Sequence, residues 1–134
     1  MQVKMTKQQL RESRILAMQV LYHYDLVGSV ELNTVEVLEQ DQSDFTKKIV
    51  QGVIDDLVKI DEIIDNNLTN YTLDRLSYVD RALCRAATFE FLSKTPANIV
   101  INETLEIVKE YSDLGDGKNK RFIHSLIDKI NKSL

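Results

Sequence analysis

The chain has little with which to turn corners: one proline and four glycines in 134 residues. Tight hairpins and long loops draw on those residues, so their scarcity favours helices over a β-rich fold. Cysteine is scarcer still. Cys84 stands alone, which excludes an internal disulfide and any cysteine-based metal cluster. With no secretory apolar core near the N-terminus, the expected compartment is the reducing cytoplasm. No apolar run approaches the roughly 20 residues that span a bilayer, so no membrane partner is expected. The histidines, His23 and His124, lie at opposite ends of the chain, outside any HxxxH or HxxE spacing. A Gly-rich phosphate loop and a nucleophile elbow are also missing. Asp55-Asp56 and Asp61-Glu62 read as a solvated helix face rather than an acid–base pair. No convergent nucleophile, base and stabiliser is in sight. The expectation is a protein that is not an enzyme, with no catalytic residues, no metal and no cofactor.

What is present is an ordinary globular mix, 43% hydrophobic and 28% charged, in a length that suits one domain. The net charge of −4 is unevenly spread. Residues 1–24 balance to +3 through Lys4, Lys7, Arg11 and Arg14 against Glu12, residues 25–70 to −8, and residues 71–134 to +1. Such asymmetry draws an anionic partner to one end and repels it from the middle. Lys118, Lys120 and Arg121 form a second, smaller cationic group.

Helical periodicity dominates the chain. A first helix is predicted from about Thr6 to Leu26, with Gly28 as its stop and Leu10, Ala17, Leu21 and Tyr24 on its core line. A weakly periodic second helix is placed around Asn33–Glu39. A third, long one carries Phe45, Ile49, Val53, Leu57, Ile60 and Ile64, with Ser43 or Asp44 as its cap. The Asn/Thr-rich patch at 66–72 reads as a boundary between helical halves of about 1–68 and 71–134. The helix predicted to start near Thr72 is apolar on most sides through Leu76, Val79, Ala82, Leu83, Ala86, Ala87, Phe89 and Leu92, and should be central. Thr95-Pro96 opens the next helix, with proline at its first position. Phe122, Leu126 and Ile130 build the last. The fold class is all-α, a compact two-subdomain bundle of about seven helices.

Lys7, Arg11, Arg14, Met18 and Tyr22 follow one another at helical spacing and span an arc of roughly 80° on the first helix. That arc is set off from the core line and is expected to be exposed. Cations for phosphates with a ring in line suit single-stranded RNA. The same spacing also suits a solvated face with Met18 and Tyr22 packed on a neighbour, and spacing leaves both open. At the start of the last helix, Lys118, Lys120 and Arg121 precede Phe122, where free N–H groups and the helix dipole favour a phosphate. Glu90 falls on a stripe that otherwise reads as buried. It must be paired, hydrogen-bonded or covered by a partner protein.

Three ordered blocks carry a resemblance. RESRILAMQVLYHYDL, with Ala17, Gln19, Leu21 and Tyr22, resembles the Arg-rich opening and A-x-Q-x-L-Y motif of the NusB family of transcription antitermination factors. LDRLSYVDRALCRAATFEFL is similar to that family's most specific block, through Arg75, Leu76, Asp80, Arg81, Leu83, Arg85, Phe89 and Glu90. INETLEIVKEY matches its I-N-E helix through Ile101, Asn102, Glu103, Glu106 and Lys109, and KRFIHSLIDKI stands where the family has K-F-V-N-G-(V/I)-L-D.

The resemblance implies two stacked helical subdomains. It also implies binding of boxA RNA together with ribosomal protein NusE, and action on RNA polymerase in an antitermination complex during ribosomal RNA transcription. Carried over by position, the RNA contacts are Arg11, Arg14, Tyr22 and Phe122, joined by Lys7, Lys118, Lys120 and Arg121 from the charge pattern. The NusE contacts are Arg81, Arg85, Glu90 and Glu103. The chain departs from the family's pattern in an opening thinner in arginine, in His124-Ser125 for Asn-Gly, and in a longer loop over 112–120. A thin opening predicts weak RNA binding alone, strengthened by NusE. Two other readings are weighed: a protein-only helical scaffold or homodimer, and a module like the RNA-recognition part of ribosomal RNA cytosine methyltransferases. With no Rossmann half and no methyl-donor motif, methyl transfer is not expected of these residues.

Overall fold

The computed structural model describes residues 4–28 and 44–134. They form helices α1 Lys7–Val27, α2 Asp44–Asp55, α3 Leu57–Asn66, a 3-10 turn Leu73–Arg75, α4 Tyr78–Leu92, α5 Ala97–Tyr111 and α6 Lys118–Ser133. No strand occurs among the described residues. The helix expected around Asn33–Glu39 lies outside them.

Local chemistry sets the limits of α1. The Thr6 hydroxyl accepts the Gln9 N–H at 3.1 Å, and the Gln9 side chain accepts the Thr6 N–H at 2.8 Å. This reciprocal cap satisfies two donors that a helix start leaves unpaired. At the far end Gly28 takes the left-handed conformation, φ 75°, and donates to the Tyr24 carbonyl.

The long third helix expected from the sequence is two helices. Asp56 leaves helical geometry at φ −116° and ψ 29°, and the bond from its N–H to the Gly52 carbonyl stretches to 3.3 Å. Asp55 and Asp56 are both poor helix formers, and the chain bends where the two stand together. The apolar stripe nevertheless runs through the bend, with Ile49, Val53, Ile60 and Ile64 fully buried.

α4 is the central helix, as its composition requires: it packs against α1, α2, α3, α5 and α6. Every residue from Ala82 to Thr88 is buried. It starts later than Thr72, because Ser77 caps it by accepting the Asp80 N–H, while Leu73–Arg75 turn as a 3-10 segment. Pro96 is the residue before α5 rather than its first helical position. Two contacts fix α2 in place. The Thr46 hydroxyl donates to the Ser13 carbonyl of α1 at 2.9 Å. Gly52 faces Phe89 of α4 so closely that a Cβ would overlap the ring. α6 closes the core with Ile123, Leu126, Ile127 and Ile130, each worth about 1.5–3 kcal/mol in removed apolar surface.

Candidate nucleic-acid interface

The arc on α1 is exposed only in part. Lys7 and Tyr22 are exposed, but Met18 and Arg14 are buried, and Arg11 is half-buried. The expectation of an open stripe is corrected at Met18 and Arg14. The physical reason is that α1 is clasped by both α2 and α4, so packing covers more of its circumference than the core line alone predicts.

Arg14 makes a two-pronged pair with Glu90 of α4, Nε to Oε2 at 2.9 Å and Nη2 to Oε1 at 2.8 Å. Its guanidinium carbon lies 4.9 Å from the centroid of the Phe45 ring. Arg11 reaches α5, where its Nη2 and Nε donate to Glu103 Oε2 at 2.6 and 3.2 Å. The hydrogen bond to Glu103 and its charge hold the Arg11 guanidinium above its ordinary pKa, against desolvation by burial. Glu90 thus has the partner that its buried position demands.

A second charge cluster binds α4 to α1 and α3. Arg85 donates from Nε and Nη2 to Asp61 of α3 at 2.8 and 2.9 Å, and lies 3.4 Å from Asp25 of α1. Burial works to lower the Arg85 pKa, and the carboxylates of Asp61 and Asp25 more than reverse that. Arg81 pairs with Asp25 at 3.2 Å, donates to the carbonyls of Asp74 and Leu76, and lies over the Tyr78 ring at 5.0 Å. Of the four residues carried over for NusE, Arg85, Glu90 and Glu103 are buried and Arg81 is half-buried. All four tie helices to one another within the chain.

The start of α6 is built differently. Gly117 takes φ 77°, and the Asp113 carboxylate gathers the loop before the helix. It accepts the N–H groups of Gly115 at 3.0 Å, Gly117 at 3.2 Å and Lys120 at 3.3 Å. Desolvation works to raise the Asp113 pKa, and these backbone donors outweigh it and hold the carboxyl below its ordinary range. Asp116 accepts the Lys118 N–H at 3.0 Å. The phosphate seat expected from free N–H groups is therefore corrected, since carboxylates of the loop already take two of them. What the corner presents is side-chain charge. Lys118 and Arg121 are exposed, Lys120 is half-buried, and none makes an ion pair among the described residues.

Phe122 is 39% exposed and meets Tyr71 edge to face, with ring centroids 5.8 Å apart. Beside it opens a cleft of about 470 Å³ whose walls include Ser77, Asp80, Lys118, Asn119 and Phe122. Asn119 donates to Asp80 and to Ser112, which holds α6 against the first turn of α4. On the other side of that turn, Tyr22 meets Tyr78 edge to face at 5.9 Å. Sequence reasoning missed Tyr71 and Tyr78, since neither sits on a charged stripe. Their one signal was an aromatic ring in a polar patch, where burial supplies no reason for it.

The described residues form a small helical protein in which Arg11, Arg14, Arg81 and Arg85 are spent on internal order, while Lys118, Lys120 and Arg121 stand unpaired beside the half-exposed Phe122. The model of the NusB family matches residues 11–132. The chain belongs to the NusB family. Transcription antitermination protein NusB of Bacillus cereus is 35% identical over 131 residues, covering 92% of this chain and 98% of that protein. The solved structure of T. maritima NusB superposes with a TM-score of 0.79 at 25% identity, covering 97% of this chain and 93% of that one. A solved complex of antitermination factors NusB and NusE with double-stranded RNA gives a TM-score of 0.79 at 28% identity, covering 96% of this chain and all of its counterpart.

Proposed function

We propose that this protein is a transcription antitermination factor that binds boxA RNA together with ribosomal protein NusE and acts with RNA polymerase during ribosomal RNA synthesis. The observation that carries the reading is the family match over residues 11–132, sustained at 35% identity along nearly the whole of a named antitermination protein. The protein acts by binding rather than by catalysis, and works in the cytoplasm.

RNA is held at Lys7, Tyr22, Lys118, Lys120, Arg121 and Phe122, which combine charge with exposed ring surface. Arg11 and Arg14 serve the same surface indirectly, by fixing the roll of α1 through Glu103 and Glu90. NusE docks on α4 and α5 around Arg81, Arg85, Glu90 and Glu103, where Asn102 and Glu106 of α5 are exposed. The halves 1–68 and 71–134 act as the two subdomains of that assembly, joined through α4.

The test is a titration of boxA RNA with the chain alone and with NusE, at several salt concentrations. Binding should tighten with NusE. It should also weaken with salt by about 0.7 in log–log slope for each phosphate neutralised on a single strand. Binding that ignores salt, or a NusE that neither associates nor tightens it, would refute the reading.

A further inference from the structure

The segment from Tyr71 to Tyr78 carries a ring at each end, and each ring meets one from a different helix: Tyr71 with Phe122 of α6, Tyr78 with Tyr22 of α1. All four rings keep between 36% and 42% of their surface open, on a chain whose core side chains are nearly all closed off. An edge-to-face pair covers at most one face of one ring, and Arg81 lies over one face of Tyr78, so each tyrosine still has a face on which a base can lie. Between the two tyrosines lies Arg75, which is exposed and makes no ion pair among the described residues. Its carbonyl, not its guanidinium, is engaged, accepting the Tyr71 hydroxyl at 2.9 Å. Lys118, Lys120 and Arg121 flank the Phe122 end.

Rings alternating with free cations form a surface on which unstacked bases lie while phosphates are neutralised alongside. We propose that Tyr71 and Tyr78 are RNA-stacking residues, and that with Arg75 they join the Phe122 corner to Tyr22 in one track for single-stranded RNA. The proposal rests on the RNA reading above and adds to it the path of the strand. RNA runs from α6 across the 71–78 segment to α1, rather than touching two separate patches.

The experiment measures binding of a short single-stranded RNA to Tyr71→Leu and Tyr78→Leu, with Tyr71→Phe and Tyr78→Phe as ring-keeping controls, in the presence of NusE. Each leucine variant should bind about tenfold more weakly, the scale of one base–ring stack, and each phenylalanine variant within about twofold of wild type. Lys120→Ala serves as the charge control. A second measurement needs no variant: 4-thiouridine RNA is photo-cross-linked to the wild-type protein and the joined peptides are mapped, with Tyr71 and Tyr78 expected among them. Loss of affinity in Lys120→Ala but in neither leucine variant, with cross-links confined to Tyr22 and Phe122, overturns the track and leaves the RNA reading standing. A wild-type protein that binds no RNA even with NusE overturns both.

Discussion

On α1, Arg11 and Arg14 face carboxylates from two other helices, whereas Lys118, Lys120 and Arg121 at the start of α6 face none among the described residues. In the sequence the two groups look alike, as short clusters of cations with an aromatic residue close behind. The difference lies in what surrounds them. α1 runs between α2 and α4, so the polar residues on its packed faces need partners inside the protein. α6 starts from a loop, and in its first turn Asn119 is tied to α4 while Lys118 and Arg121 stay exposed. Charge on a helix is available to a ligand only where packing has not already claimed it.

That contrast can be broken most directly at Arg14. Removing one side of a buried pair strands the other, so Arg14→Ala should cost about 3–5 kcal/mol in urea unfolding. The double variant Arg14→Met/Glu90→Leu should recover much of that loss. A loss under about 1 kcal/mol would mean that Arg14 is not spent on structure. Gly52→Ala probes the neighbouring packing without touching charge. Overlap with Phe89 should outweigh the gain in helix propensity and destabilise by about 1–2 kcal/mol. At the other pole, Lys120→Ala and Arg121→Ala should change stability by no more than about 0.5 kcal/mol, as surface substitutions do. The slope of log affinity against log salt should drop by about 0.7 for each phosphate that is no longer neutralised. A large shift in melting with an unchanged salt slope would reverse the assignment of the two regions.

The smallest expected effect concerns the loop that presents the corner. The Asp113 carboxyl is held below its ordinary value by backbone donors, so its contribution is present above the unfolded pKa of about 3.9. That contribution is lost as pH falls through the lower folded value. A carboxyl-carbon NMR titration should place the Asp113 midpoint below that of an unstructured aspartate. A midpoint at or above it would show that the loop is not organised around this side chain.

Much of this was legible in the sequence. Thr6 and Gly28 marked both ends of α1, and the many-sided apolar pattern of α4 identified the centre of the bundle. The bend at Asp56 was not legible, because Leu57 and Ile60 keep the stripe in phase across it. Nor were the partners of the arginines. Glu90 was recognisable as a carboxylate in need of company, but Arg14 lies 76 positions away, and local spacing holds no record of such a pairing. Tyr71 and Tyr78 escaped for the opposite reason: their meaning comes from the rings they meet, which belong to other helices.

Arg11 and Arg14 stand less than a turn apart on α1, yet one is anchored to α5 and the other to α4. A roll of the helix that relieved one anchor would strain the other, so together they index its rotation as two pins index a dial. Neither position can drift alone. Lineages that change the Arg14–Glu90 pair should change both members in step, and those that lose Arg11 should be the ones in which the far end of α1, with Tyr22, has turned.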